Sequence, residues 1–312
     1  MNIYADNALG HILTKRITPY LNKQGHKFSE NPLECNVQLS FVRAGWKGNL
    51  PIVQRIDGIY YSSVEDYQTR NLAISKTHQI ASGVIYQSEY SKKLCEHLLL
   101  QRNTKAKVSV IYNGIEPNWC GPHIEHDGIN IVVLGKHRRH KRLKEIIDLF
   151  IDYNNVVNDS TLHIFGLLHN NTPVIHPNIK YYGMVEREKM IDVMRISDMS
   201  IHLSKRDSCP NSVVECISAG IPVITTNNCG GATEMCRMTP GCIIIEQDGD
   251  YNDLKTVDYY GEQWNKVKPE VQIALLYAMV SITNDKRRVI LPKELHAEYT
   301  ADKYIEIMKG VL

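Results

Sequence analysis

Short apolar runs that close on a glycine and give way to helical pattern recur along this chain, and that alternation limits the folds open to it. Ile129–Leu134 ends in Gly135, residues 161–165 in Gly166 and residues 179–182 in Gly183, while 199–203 and 222–226 complete a set of five strands. After Gly135 and a basic loop, Leu143, Ile146, Ile147 and Phe150 fall at i, i+3, i+4 and i+7, one face of a helix. The first part of the chain repeats the theme. Asn2–Asp6 reads as a strand, followed by a turn near Gly10 and a helix carrying Leu9, Ile12, Leu13 and Ile17; residues 37–42, Ile52–Ile56, Gly83–Tyr86 and 108–112 read as further strands. Apolar strands alternating with helices predict an α/β protein with parallel sheets rather than an antiparallel sandwich. The five strands after Ile129 have the density of a doubly wound domain.

A chain of 312 residues exceeds the size one core usually serves, so two compact units are expected. Hydrophobic residues at 43% and charged residues at 22% exclude a disordered, collagen-like or coiled-coil chain. The formal net charge of +2 argues against a nucleic-acid partner, which asks for a stronger basic excess. The N-terminal stretch lacks the apolar run and cleavage site of a signal peptide. The longest apolar stretch, 273–280, is too short to span a bilayer and reads as part of a core helix, so no transmembrane segment is expected. Eight cysteines without a C-x-x-C pair read as reduced thiols in the cytoplasm.

The segment from Asp207 to Ile224 is the richest in chemistry: a loop enters a helix that ends in Gly220 and Pro222. Val213, Cys216, Ile217 and Gly220 mark its packed face, leaving Asn211, Ser212 and Glu215 toward the loop. A helix start offers backbone N–H groups and a positive dipole end to a diphosphate. Glu215 lies about 6 Å further along the axis, where a carboxylate can accept from both ribose hydroxyls. Asp207 can then reach a donor-sugar hydroxyl. Taken singly, Asp207 also reads as a loop or capping residue and Glu215 as a solvated acid.

Two acids with seven residues between them, then Ala219-Gly220-Ile221-Pro222-Val223-Ile224 and Gly230-Gly231, resemble the signature of family 4 retaining glycosyltransferases of the GT-B fold. That signature usually opens with Glu, where this chain has Asp207. Further segments are similar in the same order: Asn113-Gly114 to the domain-junction turn, Gly135 and Lys141 with five residues between them to the phosphate loop, and Tyr182-Gly183-Met184 to the loop that meets the base. The resemblance covers residues 55–234. It implies two Rossmann-like domains facing across a cleft, the N-terminal one reduced: 1–112 on the acceptor side, 113–295 holding the donor, and a terminal helix, which the sequence pattern puts at 301–311, within 296–312 and packing back on the first.

The implied reaction moves a sugar from a nucleoside-diphosphate sugar, UDP- or GDP-linked, to a hydroxyl of a glycan or other acceptor, with retention and without a metal or other cofactor. Arg138 and Lys141 would stabilise charge growing on the leaving diphosphate; the stretch 136–142 also reads as an exposed basic turn or a nucleic-acid patch. Met184, Cys209, Pro210, Asn211, Ser212 and Glu215 are expected at the donor, with Gly10 allowing close approach or serving an ordinary strand-to-helix turn. Asp57 falls where many family members carry a functional His and is expected to contact the donor sugar or the acceptor; it also suits a turn before Gly58. Asp248-Gly-Asp250 reads as surface. His123 with His126, and His137 with His140, could share a metal, yet neither pair has recognisable zinc-site spacing. A non-catalytic sugar-nucleotide-binding or scaffold protein of the same fold is the rival reading, and peripheral membrane contact stays open.

Overall fold

The computed structural model describes residues 1–6, 10–46, 48–169, 172–246, 254–258, 261 and 266–312. Two units divide the chain: Met1–Glu116 with Leu254–Asp258 and Lys293–Leu312, and Pro117–Asp253 with Tyr259–Pro292. Asp248 and Asp250 lie outside the described residues, as does Leu9.

In the first unit, β1 (Asn2–Asp6), β2 (Lys27–Ser29), β3 (Val37–Phe41), β4 (Ile52–Ile56), β5 (Gly83–Tyr86) and β6 (Lys107–Val110) form one parallel sheet in the order β2-β1-β3-β4-β5-β6. Every residue of β3, β4 and β5 is buried, as expected for parallel strands covered on both faces. The helix α1 (Ile12–Lys23) buries Leu13, Ile17 and Leu21; α2 (Tyr67–Ile80) and α3 (Glu89–Leu98) follow β4 and β5. Three apolar residues spaced at four are one stripe of a helix, and here that stripe shares a core with Ala301, Tyr304, Ile305 and Met308 of the terminal helix.

The second unit holds β7 (Ile129–Leu134), β8 (Ser160–Phe165), β9 (Ile179–Gly183), β10 (Met199–His202), β11 (Val223–Thr226) and β12 (Ile243–Ile245), all parallel, in the order β12-β11-β10-β7-β8-β9. Renumbered from its own first strand this is the 3-2-1-4-5-6 order of a doubly wound dinucleotide fold. Its helices are α4 (Leu143–Val156), α5 (Arg187–Met194), α6 (Asn211–Ser218), α7 (Gly231–Arg237) and α8 (Pro269–Asp285). Ile131 and Val133 of β7 join Ile146, Phe150, Leu275 and Met279 in one core, which sets α4 and α8 on the same face of the sheet.

Three expectations change. β2 and β12 were not anticipated, because three-residue edge strands carry too little pattern to stand out. The terminal helix, α9 (Ala297–Gly310), begins a turn earlier than residue 301. The strand expected at 108–112 is β6, shifted to Lys107–Val110 by its register on β5.

Candidate functional site

In the second sheet β7 and β10 are neighbours, yet β7 leads on to β8 on one side and β10 to β11 on the other. Loops leaving the ends of these two strands therefore diverge and open a crevice at the carboxyl edge of the sheet, the usual place for a ligand in such a fold. Lys141 comes from the loop after β7 and Asp207 from the loop after β10. Their side chains form an ion pair, Lys141 Nζ donating to Asp207 Oδ2. An ammonium has three donors, so one contact with Asp207 leaves capacity for other acceptors.

Backbone bonds stitch the loops into one cluster. Lys205 N–H donates to the His140 carbonyl (3.2 Å), Arg206 N–H to Asn228 (3.3 Å), His137 N–H to Leu167 (2.8 Å) and Gly231 N–H to Asp207 (2.7 Å). The last contact explains the paired glycines. Gly230 has φ 62°, ψ −128°, a conformation open in practice to glycine alone, and a Cβ on Gly231 would lie 2.0 Å from the Ser208 carbonyl oxygen. The turn brings the start of α7 against the Asp207 loop. On the far side, Gly166 passes so close to Gly135 that a Cβ would lie 1.8 Å from the Gly135 carbonyl oxygen.

Burial pushes the Asp207 carboxyl up, but Lys141, His202 and His140 outweigh it and hold the group below the ordinary carboxylate range. It is therefore ionised near neutrality and accepts hydrogen bonds without donating. His202 stands 3.9 Å from Asp207 Oδ2; its Nε2 is buried and finds no hydrogen-bond partner among the described residues. Burial, with Lys141 adding to it, lowers the His202 pKa to about 4, so the ring is neutral. His140, buried beside the same groups, is lowered to about 3.

The helix α6 starts at Asn211 after Pro210, an N-cap residue whose side chain makes no capping bond. Asn211, Ser212 and Glu215 are half-buried while Val213, Val214, Cys216 and Ile217 are buried, so the two faces fall as their spacing predicts. Trp119 Nε1 donates to the Glu215 carbonyl at 2.9 Å and anchors that turn. The Cys209 thiol is buried 3.9 Å from Met235 Sδ, which leaves only its backbone to meet a ligand. Arg138 is exposed, unlike Lys141, at the start of the short 3-10 turn Arg139–Lys141. Met184 is 68% exposed just past β9, whose Tyr182 ring stacks on Phe165 with centroids 4.2 Å apart.

The first unit gathers a separate polar cluster. Asp57, just past β4, accepts a hydrogen bond from Gln87 Nε2 at 2.7 Å, and its carboxylate stands 3.2 Å from His11 Nε2 and pairs with the Arg55 guanidinium, itself fully buried and held by Asn113. His11 is the N-cap of α1, its Nδ1 accepting from Leu13 N–H. Burial, then Arg55 and Arg16, lower its pKa to about 4. A neutral ring accepting at Nδ1 carries its proton on Nε2, so His11 donates to Asp57. A hydrogen bond from Gln87 and close contacts with His11 and Arg55 make Asp57 more than a turn residue. Among the described residues no atom lies within 4 Å of where a Cβ on Gly10 would stand, so nothing described there closes off the space beside it.

Sequence reasoning missed His11 and His202, and weighed His140 only as half of a metal pair with His137. A histidine directly after Gly10 at a strand-to-helix turn was a usable signal for His11, and a polar residue ending an apolar strand for His202.

Residues 122–256 match the family model of glycosyl transferases group 1. A comparison with curated proteins finds no match. Among solved structures the chain is similar to WaaG, a glycosyltransferase involved in lipopolysaccharide biosynthesis: TM-score 0.63 at 11% identity over 99% of this chain and 100% of that one. Sucrose-phosphate synthase from Thermosynechococcus elongatus gives 0.60 at 13% identity over 94% of this chain and 73% of that one. A chain of the GtfA/B complex gives 0.58 at 9% identity; 84% of this chain is covered, but it spans only 53% of that one. Two parallel six-stranded sheets with flanking helices are the α/β architecture of GT-B glycosyltransferases. No helix among the described residues is long and apolar enough to cross a membrane.

Proposed function

We propose that this chain is a glycosyltransferase that takes a sugar from a nucleoside diphosphate, UDP or GDP, and transfers it with retention to a hydroxyl of a glycan or other acceptor. The observation that carries this reading is the Lys141–Asp207 pair at the strand-order switch, beside a helix start with Glu215 one turn inside. The diphosphate would take the α6 start and Lys141, with Arg138 closing from the exposed side; Glu215 would grip the ribose and Asp207 a donor-sugar hydroxyl. Fixed cations would do the work of a metal on the leaving group. As the bond from the anomeric carbon to the phosphate oxygen breaks, the acceptor oxygen bonds that carbon from the same face, and its proton passes to a phosphate oxygen. Asp57, with His11, would act on the acceptor or donor hydroxyls. Eight cysteines, none in a disulfide, suit a reducing compartment, the cytoplasm.

A thermal-shift and transfer screen with UDP-, GDP- and ADP-sugars tests the reading, since a ligand of the native state raises Tm by mass action. One donor should stabilise the protein and be hydrolysed or transferred, and Glu215→Ala should lose that stabilisation while keeping its fold. Stabilisation with no turnover on any acceptor would favour a sugar-nucleotide-binding scaffold; no stabilisation by any donor would refute the assignment.

A further inference from the structure

The opposite edge of the second sheet carries a cluster that the transfer chemistry does not use. His123 and His126 lie on the irregular stretch before β7, and Asp198 in the turn that leads into β10. One ligand atom from each of the three lies within 4.8 Å of the others. His126 Nε2 stands 3.5 Å from Asp198 Oδ1, and the two imidazoles meet edge to face with centroids 5.4 Å apart. His123 Nδ1 is buried and finds no hydrogen-bond partner among the described residues. A buried nitrogen left this way carries a desolvation cost that packing alone does not offset.

We propose that His123, His126 and Asp198 bind a divalent transition-metal ion of the zinc type. Imidazole nitrogen and carboxylate oxygen are zinc donors, and three protein ligands leave one tetrahedral position for water. Ligand atoms at zinc distances stand about 3.3 Å apart in a tetrahedron, so closing from 4.8 Å needs rotamer adjustment and no refolding. The surroundings already orient the ligands. Asn130 N–H donates to Asp198 Oδ2 at 2.7 Å, which leaves Oδ1 on the side of His126. His126 Nδ1 lies 3.2 Å from the Asp127 carbonyl, to which it donates once Nε2 holds the ion, the outer bond that commonly fixes a ligating imidazole. The Asn130 amide, now 3.0 Å from Nδ1 through its nitrogen, then turns over to offer its carbonyl, and His163 Nε2 becomes its acceptor.

Two charges bear on the ion in opposite senses. Arg288, bonded to the Ser197 and Ala219 carbonyls at 2.8 and 2.9 Å, acts against it and Glu125 for it. The site lies at the amino ends of β7 and β10, whereas the donor loops leave their carboxyl ends, so the ion takes no part in transfer. Its effect is structural: the stretch that holds both histidines also holds Trp119, whose indole anchors the Glu215 carbonyl. Asp198 is far from the histidines in sequence, which is why ligand spacing did not show the set.

The full chain, stripped with EDTA and dialysed, is titrated with Zn2+ against a chromophoric chelator, and with Co2+ followed by visible absorption. One Zn2+ per chain and a tetrahedral Co2+ spectrum are expected. His123→Ala and His126→Ala should each weaken binding at least about tenfold and abolish the Co2+ bands, and Asn130→Ala should weaken it about 10–100-fold. Metal-free melting curves establish that the variants fold; if an alanine variant does not, Asp198→Asn, which keeps an acceptor for Asn130, decides. Sub-stoichiometric Zn2+ on the unaltered chain, or equal affinity in the folded variants, overturns the site whatever the donor screen returns.

Discussion

Gly231→Ala isolates the close approach on which the donor loop depends. At an ordinary helix start this change stabilises, by about 0.4–1 kcal/mol, through the unfolded chain. Here the new methyl carbon meets backbone: the Ser208 carbonyl oxygen at 2.0 Å, its carbon at 2.8 Å and Cys209 Cα at 3.2 Å. Restoring the first contact to 3.4 Å, where ordinary packing begins, moves either the start of α7 or the 207–209 loop by about 1.4 Å. The Gly231 N–H bond to the Asp207 carbonyl stretches with it. Overpacking of this kind costs about 1–3 kcal/mol, and a misplacement of about 1 Å at a reacting group can cost 10²-fold in rate. Urea unfolding should therefore show a lower midpoint, and donor turnover should fall by about 100-fold. A variant as stable and as active as the parent would refute the argument that Gly231 exists to let two backbones touch.

Lys141→Ala removes the cation facing Asp207 and should lower kcat by about 10²-fold or more, as loss of one preorganised charge on a developing anion does; single-turnover kinetics check it, and an unchanged rate removes Lys141 from the site. Asp57→Ala takes the carboxylate from the fully buried Arg55 guanidinium and should cost about 3 kcal/mol, the low end for breaking such a pair because Asp57 is 28% exposed; chemical denaturation reads it, and a change under 1 kcal/mol would reduce the pair to a surface contact. The buried imidazoles of His78, His163 and His202 are held down to about 4 from 6.5, chiefly by burial. Below pH 6.5 the unfolded chain takes up protons that the folded chain refuses, so stability should fall as the pH drops from 6.5 toward 4. Urea midpoints at pH 7 and pH 5 test this, and equal values would contradict it.

What the amino-acid sequence determined by itself is local. A parallel strand buried on both faces must be an apolar run, and its exit toward a helix favours glycine, so Ile129–Leu134 with Gly135 could be read directly. The helix from Asn211 declared its faces by spacing, and Asp207 with Glu215 was legible because both belong to one continuous segment. What only the tertiary structure decided is which segments meet. Lys141 reaches Asp207 because β7 and β10 are neighbours, a pairing that follows from crossovers running to opposite sides of the sheet and from no local pattern. The same holds for His11 donating to Asp57, and for Asp198 beside His123 and His126. Side-chain chemistry is written residue by residue, but contact between distant residues is fixed by the order in which strands pack, a collective choice of the whole core.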